Sequence, residues 1–175
     1  MPLSPEQFRL LSPLLIGWIQ RTLAEHACGA RPVATLGFRR LPQYFSAELL
    51  TAAKVVAVER VPVPPLSSLG APGFEAFETM PAAGITYIDT FFVDRRCAAD
   101  ESLHFHELIH IVQWKLLGPE RFLAAYAAGL ETHGYRDSPL EVMAYDAQGR
   151  FESDPVPFDA ERLVAQSLRI YFPAA

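Results

Sequence analysis

Cysteine is scarce: Cys28 and Cys97 are the only two in 175 residues, and they stand in neither a CxxC nor any other metal-ligand spacing. That excludes a disulfide-dense scaffold and a cysteine-built zinc site. The two are read as free thiols, with pairing to each other left open. Long apolar runs are missing as well; no segment approaches the roughly 18 apolar residues of a membrane span. The N-terminus lacks the pattern of a signal peptide, because Glu6 falls among its first residues and the short apolar stretch 13–19 runs into Gln20-Arg21. A cytoplasmic location is therefore expected, with export by a signal-less route left open. Basic runs are absent too. The pairs Arg39-Arg40 and Arg95-Arg96 are expected on the solvated surface, and a net charge of −5 argues against nucleic acid as the main partner.

Hydrophobic residues make up 50% of the chain and charged ones 20%, which describes a globular protein with a generous core. A chain of this length buries roughly 70% of its unfolded surface and suits one domain. No repeat, low-complexity tract or interdomain linker divides residues 1–175. Within them, 1–53 read as a mainly helical part and 54–175 as a sheet, a central helix and C-terminal helices, which makes the expected class α+β. Ser4-Pro5 and Ser12-Pro13 both look like helix starts, so the first 28 residues predict one kinked helix or two short ones. Phe8, Leu11, Leu15, Trp18, Ile19 and Leu23 recur there at core spacing. His26 is expected to partner the helix C-terminus. Residues 31–45 read as irregular, 46–53 as a short helix and 54–63 as a strand rich in valine, ended by Pro62, Pro64 and Pro65. A loop over 67–81 with a helical turn near Phe74 to Met80 leads into 84–93, the clearest strand. Its edge is a candidate for pairing with an extended peptide, an ordinary core strand being the alternative. Residues 158–172 predict a last helix, packed through Leu163, Val164, Leu168 and Tyr171.

The chemistry concentrates in His106-Glu107-Leu108-Ile109-His110. On a helix, residues four apart share a face, so the two imidazoles can grip one ion. Glu107 is rotated by about 100° to the edge of that face, where it can take a proton from the attacking water. From Leu103 to Leu117 the helix is apolar on nearly every side and belongs in the interior. Two histidines and a glutamate there need compensation, which a divalent cation supplies. The alternative is a chance HExxH on a core helix, its histidines neutral and hydrogen-bonded. His104 faces away from the metal side and reads as a residue of the helix start.

A catalytic zinc takes three protein ligands. The extended HExxHxxGxxH form is excluded, since Gln113 and Leu116 stand at its glycine and last histidine. Gly118-Pro119 ends the motif helix and starts another through about Glu131, and a third follows Pro139. That hairpin can return Glu141, in the first turn of the third helix, toward the histidines. A capping box, with Ser138 as N-cap, also explains Glu141 without metal and is favoured for the segment alone, but an upstream HExxH without a third ligand turns the reading to ligation. Asp137, His133 and Asp146 are the reserve ligands.

HELIHIVQW, then LGPERFLAAY and YRDSPLEVMAY, resembles the gluzincin metalloproteases, in particular the compact minigluzincins. The positions that carry the likeness are Gln113, Gly118, Phe122, Tyr126, Tyr135, Ser138-Pro139, Glu141 and Ala144, with the upstream strand from Gly84; together they span about a third of the chain. The departures are Ser138 in place of an asparagine, and Asp146, one place later than the acidic residue some gluzincins set four after their glutamate. The resemblance implies a zincin-like domain with a small sheet packed on the HExxH helix, Zn²⁺ as cofactor and a peptide or protein as substrate. With the motif it leads to a metallopeptidase in which His106, His110 and Glu141 hold zinc and Glu107 is the general base. Tyr135 is the candidate donor to the oxyanion and His133 the runner-up, an ordinary packing tyrosine being the alternative. Two other classes stay open: a zinc-stabilised binding module without turnover, and a hydrolase of non-peptide amides or esters.

Overall fold

The computed structural model of the chain describes residues 5–70 and 75–172. Among them are seven α-helices and a four-stranded mixed sheet, an α+β arrangement. In chain order these are α1 (Pro5–Glu25), β1 (Arg31–Pro32), α2 (Ala47–Ala52), β2 (Lys54–Val58), α3 (Glu75–Thr79), β3 (Gly84–Tyr87), β4 (Thr90–Asp94), α4 (Glu101–Leu117), α5 (Pro119–His133), α6 (Pro139–Ser153) and α7 (Ala160–Tyr171). The sheet order is β1-β2-β4-β3, with β2 and β4 parallel and the outer pairs antiparallel.

The sheet corrects two expectations. Residues 84–93 form not one strand but a hairpin: Tyr87 pairs with Thr90 and the chain reverses through Ile88-Asp89. Ile88 adopts φ 59°, a left-handed conformation that β-branched residues rarely take, so local preference did not announce the turn. Tertiary contacts hold it. Lys54 donates from its backbone N–H to the Asp89 carbonyl (2.9 Å) and pairs its ammonium with the Asp89 carboxylate (2.9 Å). The predicted strand 54–63 stops at Val58, opposite Asp94, where β4 also ends. There the Asp94 carboxylate turns to cap the 3-10 turn Arg95–Cys97, accepting from Arg96 N at 2.9 Å. In the central strand β4 every residue is buried. β3 is an edge strand.

At the N-terminus the single helix is the alternative found: α1 runs uninterrupted through Pro13 and is followed by a 3-10 turn at Ala27–Gly29. The Ser4 start and Phe74 lie outside the described residues. Leu11, Leu15 and Ile19 are buried on one side of α1, and Trp18 meets Tyr87 edge-on at 5.6 Å. His26 Nδ1 bonds the Thr22 carbonyl in the last turn (2.9 Å), the role expected of it. Residues 31–45 are more regular than predicted, holding the short β1 and two 3-10 turns; Pro32, which has no N–H, keeps β1 to two residues.

At the other end, Asp159 caps α7. Val164 and Leu168 are buried, but Tyr171, in the last turn, faces solvent instead of packing. Arg40 also departs from expectation: its guanidinium lies 3.8 Å over the Phe151 ring and donates to the Phe151 carbonyl. Cys28 and Cys97 are free thiols.

Candidate metal centre

α4 forms the floor of the site. Asp100 caps it, accepting from Ser102 N (3.0 Å) and Leu103 N (3.4 Å), and residues 104–114 are buried throughout. It ends where Gly118 takes φ 74°, a conformation open to glycine, and Pro119 at once starts α5. α5 leads away, and α6 comes back along α4. Ala144 and Ala147 on α6 are buried and short enough for the helices to pack closely, while Phe151 stacks on Phe105 with centroids 4.4 Å apart.

This packing brings Glu141 to the histidines. Nε2 of His106 and Nε2 of His110 are 3.1 Å apart, and the Glu141 oxygens lie 3.4 Å from the first and 3.5 Å from the second. All three residues are buried. The capping box is not formed: Ser138 holds the N-cap position but its hydroxyl caps nothing, and Glu141 turns inward instead.

Each imidazole is fixed from behind by an amide. Gln148 Oε1 lies 3.0 Å from His106 Nδ1, and its own Nε2 donates to Ser102 Oγ (3.0 Å) and Glu152 Oε1 (3.1 Å). Gln113 Oε1 lies 2.8 Å from His110 Nδ1, and its Nε2 donates to the Leu140 carbonyl (2.9 Å). An amide oxygen can only accept, so both Nδ1 atoms carry the hydrogen and both Nε2 lone pairs face the same point. Two lone pairs and a carboxylate converging in the interior repel one another unless a positive charge joins them. Glu141 Oε2 has no hydrogen-bond partner.

These residues fit a metal ion. Tetrahedral zinc with bonds of about 2.0–2.1 Å spaces its ligand atoms about 3.3 Å apart; the two imidazole nitrogens are 3.1 Å apart, and the carboxylate meets them through different oxygens, Oε2 at 3.4 Å from His106 and Oε1 at 3.5 Å from His110. Two imidazoles and one carboxylate are also a donor set suited to zinc. In a metal-free chain a proton takes this place. Burial opposes charge on His110, yet Glu141 beside it raises its pKa to about 9. Burial likewise works against a charged Glu141, but His110 and His106 hold its carboxyl well below the usual range.

Glu107 sits at the edge of this group on the side of β3. Thr86 Oγ1 donates to its Oε2 at 2.6 Å, and Trp114 Nε1 donates to the Thr86 carbonyl at 3.1 Å. Burial raises the Glu107 carboxyl above its ordinary value, against the opposing pull of His106, His110 and the Thr86 bond. Gly84 matters through what it lacks. A Cβ there would lie 2.8 Å from Glu107 Cδ, so any side chain would displace the carboxylate.

A cavity of about 100 Å³ opens from Glu107, His110 and Glu141 toward α1, α3 and α5. Tyr126 on its wall donates to Glu141 Oε1 at 2.8 Å. Tyr135 lines the same cavity; burial, then Glu141, keeps its hydroxyl protonated far above the ordinary range, and Tyr145 is its hydrogen-bond partner. His133, Asp137 and Asp146 are all exposed and do not join the site. His104 faces away from it, buried against Phe38 and Phe91 with Nε2 on the Ala98 carbonyl (3.0 Å).

Four contributors were given no role in the site from the sequence. Gln148 could have been, since it stands seven residues after Glu141 and therefore on the same helical face. Gln113, three after His110, was noted without a role. Thr86 and Gly84 reach Glu107 from another element, and no spacing signals that. No family model, curated protein or solved structure matches the chain. No helix among the described residues is long and apolar enough to cross a membrane.

Proposed function

We propose that the chain is a zincin-type metallopeptidase, with His106, His110 and Glu141 as zinc ligands and Glu107 as general base. The observation that carries this reading is the convergence of the three donors, whose ligand atoms all lie within 4.8 Å of one another, with a fourth, non-ligating carboxylate beside them. Zinc in such a set acts as a Lewis acid that makes water acidic near neutral pH. Glu107, its pKa raised by burial, accepts the proton of the attacking water and passes it to the leaving amine. Thr86 holds the carboxylate in place for both transfers. Tyr135 donates to the oxyanion that develops on the scissile carbonyl. The edge strand β3, lying against Glu107, supports a substrate laid along it as an added strand.

The test is Glu107→Gln, assayed on a broad peptide library together with zinc content. The variant is expected to keep its zinc and to lose roughly 10²–10⁴-fold in rate. Unchanged turnover would contradict the mechanism. Zinc retained by the wild type with no cleavage of any peptide would favour the binding module.

A further inference from the structure

The cavity beside the metal site has few polar side chains. Glu107, His110, Glu141 and the Tyr126 hydroxyl that donates to Glu141 are among them, while most of the lining is apolar, from side chains such as Leu11, Leu15, Val63 and Leu123. A peptide main chain lying against those apolar side chains would find no side-chain partner for its N–H and C=O groups. An apolar group would lose nothing. Size narrows the choice: an apolar cavity of about 150 Å³ stays dry and takes benzene, and this one measures about 100 Å³. It is not fully enclosed, so its size suits a branched aliphatic group or a single ring that reaches toward its open side.

We propose, on the reading that His106, His110 and Glu141 hold a hydrolytic metal, that this cavity receives one large apolar group next to the bond being cleaved, and that Leu11 and Leu15 of α1 limit its size. The N-terminal helix is then a specificity element. Leu11 and Leu15 face the cavity four residues apart on one side of α1, and both are buried. α1 comes from the far end of the chain, before the sheet and before the motif helix. Changes in its apolar face therefore alter which group fits without touching a ligand or the general base.

Two hydroxamates on the zinc-loaded protein test this by calorimetry. Acetohydroxamate offers a methyl group and phenylacetohydroxamate a benzyl group to the same site. The wild type is expected to bind the benzyl compound at least about tenfold more tightly. Leu15→Trp, which fills the cavity from α1, is expected to bring that ratio close to one by weakening the benzyl compound far more than acetohydroxamate. Leu11→Phe, a smaller intrusion, gives the same direction if the tryptophan variant folds poorly. Equal affinities in the wild type, or a ratio that neither substitution moves, would overturn the proposal. Toluene, which cannot bind a metal, probes the cavity alone: uptake by the metal-free protein, lost in Leu15→Trp, is expected, and no uptake overturns the proposal. Toluene uptake with no binding of either hydroxamate would overturn the metal reading and, with it, the assignment of the cavity to a substrate.

Discussion

At the scale of single residues, the site is held by groups that never touch a metal. Gln148 and Gln113 fix the tautomers of His106 and His110, and Thr86 aims Glu107. The histidines and Glu107 were legible because their spacing alone puts them on one helical edge. Glu141 was half legible, since the same position also serves a cap, and only the packing of α6 on α4 decides between the two. Gly84 was illegible: a glycine beginning a strand carries no sign that a carboxylate from another element occupies the space of its missing Cβ. It yields a sharp expectation. Gly84→Ala should push Glu107, the proposed general base, off its position and lower the proposed hydrolysis by about 10²-fold, the cost of a misplacement near 1 Å, while zinc binding stays at the wild-type level. Steady-state rates measured beside zinc content check it, and a fully active variant would refute the role given to that glycine.

Among the elements, the helices were read best and the strands worst. α5 and α6 follow their Gly118-Pro119 and Pro139 boundaries, and α4 its almost wholly apolar sequence. The hairpin of β3 and β4 was missed because Ile88 in a left-handed turn looks, in sequence, like one more strand residue. Lys54 from β2 holds the next residue of the turn, Asp89, a contact that spans 35 positions. The early end of β2 has the same origin, since a strand lasts only as long as its neighbour. The closest coupling of fold to function is the α4–α6 contact, because α4 carries the two histidines and α6 carries Glu141 and Gln148. Phe151 anchors it, buried in stacking contact with Phe105 and 5.0 Å from the Tyr44 ring. Phe151→Ala is expected to destabilise the chain by about 3–5 kcal/mol and to weaken zinc binding in parallel. Denaturant unfolding with and without zinc measures both effects, and a loss under about 1 kcal/mol would show that the interface does not rest on this ring.

For the whole molecule, protons and metal compete for one buried place. In the metal-free chain the His110 pKa stands at about 9, above its unfolded value near 6.5. A group raised on folding contributes stability that is complete below its unfolded pKa and disappears as the pH climbs through the folded one. Metal-free protein is therefore expected to lose stability, on the order of a few kcal/mol, between about pH 6.5 and 9. Glu141, lowered on folding, adds the opposite limb: its contribution is present above its unfolded pKa and is lost as the pH falls below it. Bound zinc needs both histidines deprotonated, so the zinc-loaded chain should hold its stability up to pH 9, and the gap between the two thermal transitions should widen with pH. A constant gap would mean that no proton occupies the site.

The claim on which the rest depends is that His106, His110 and Glu141 hold one zinc ion. Zinc per chain by elemental analysis, with affinity by competition against a chelator, compares the wild type with His110→Ala and Glu141→Ala most directly. The account predicts one zinc per wild-type chain and much weaker binding in both variants. No zinc in any of the three after reconstitution, or wild-type affinity in Glu141→Ala, would contradict it.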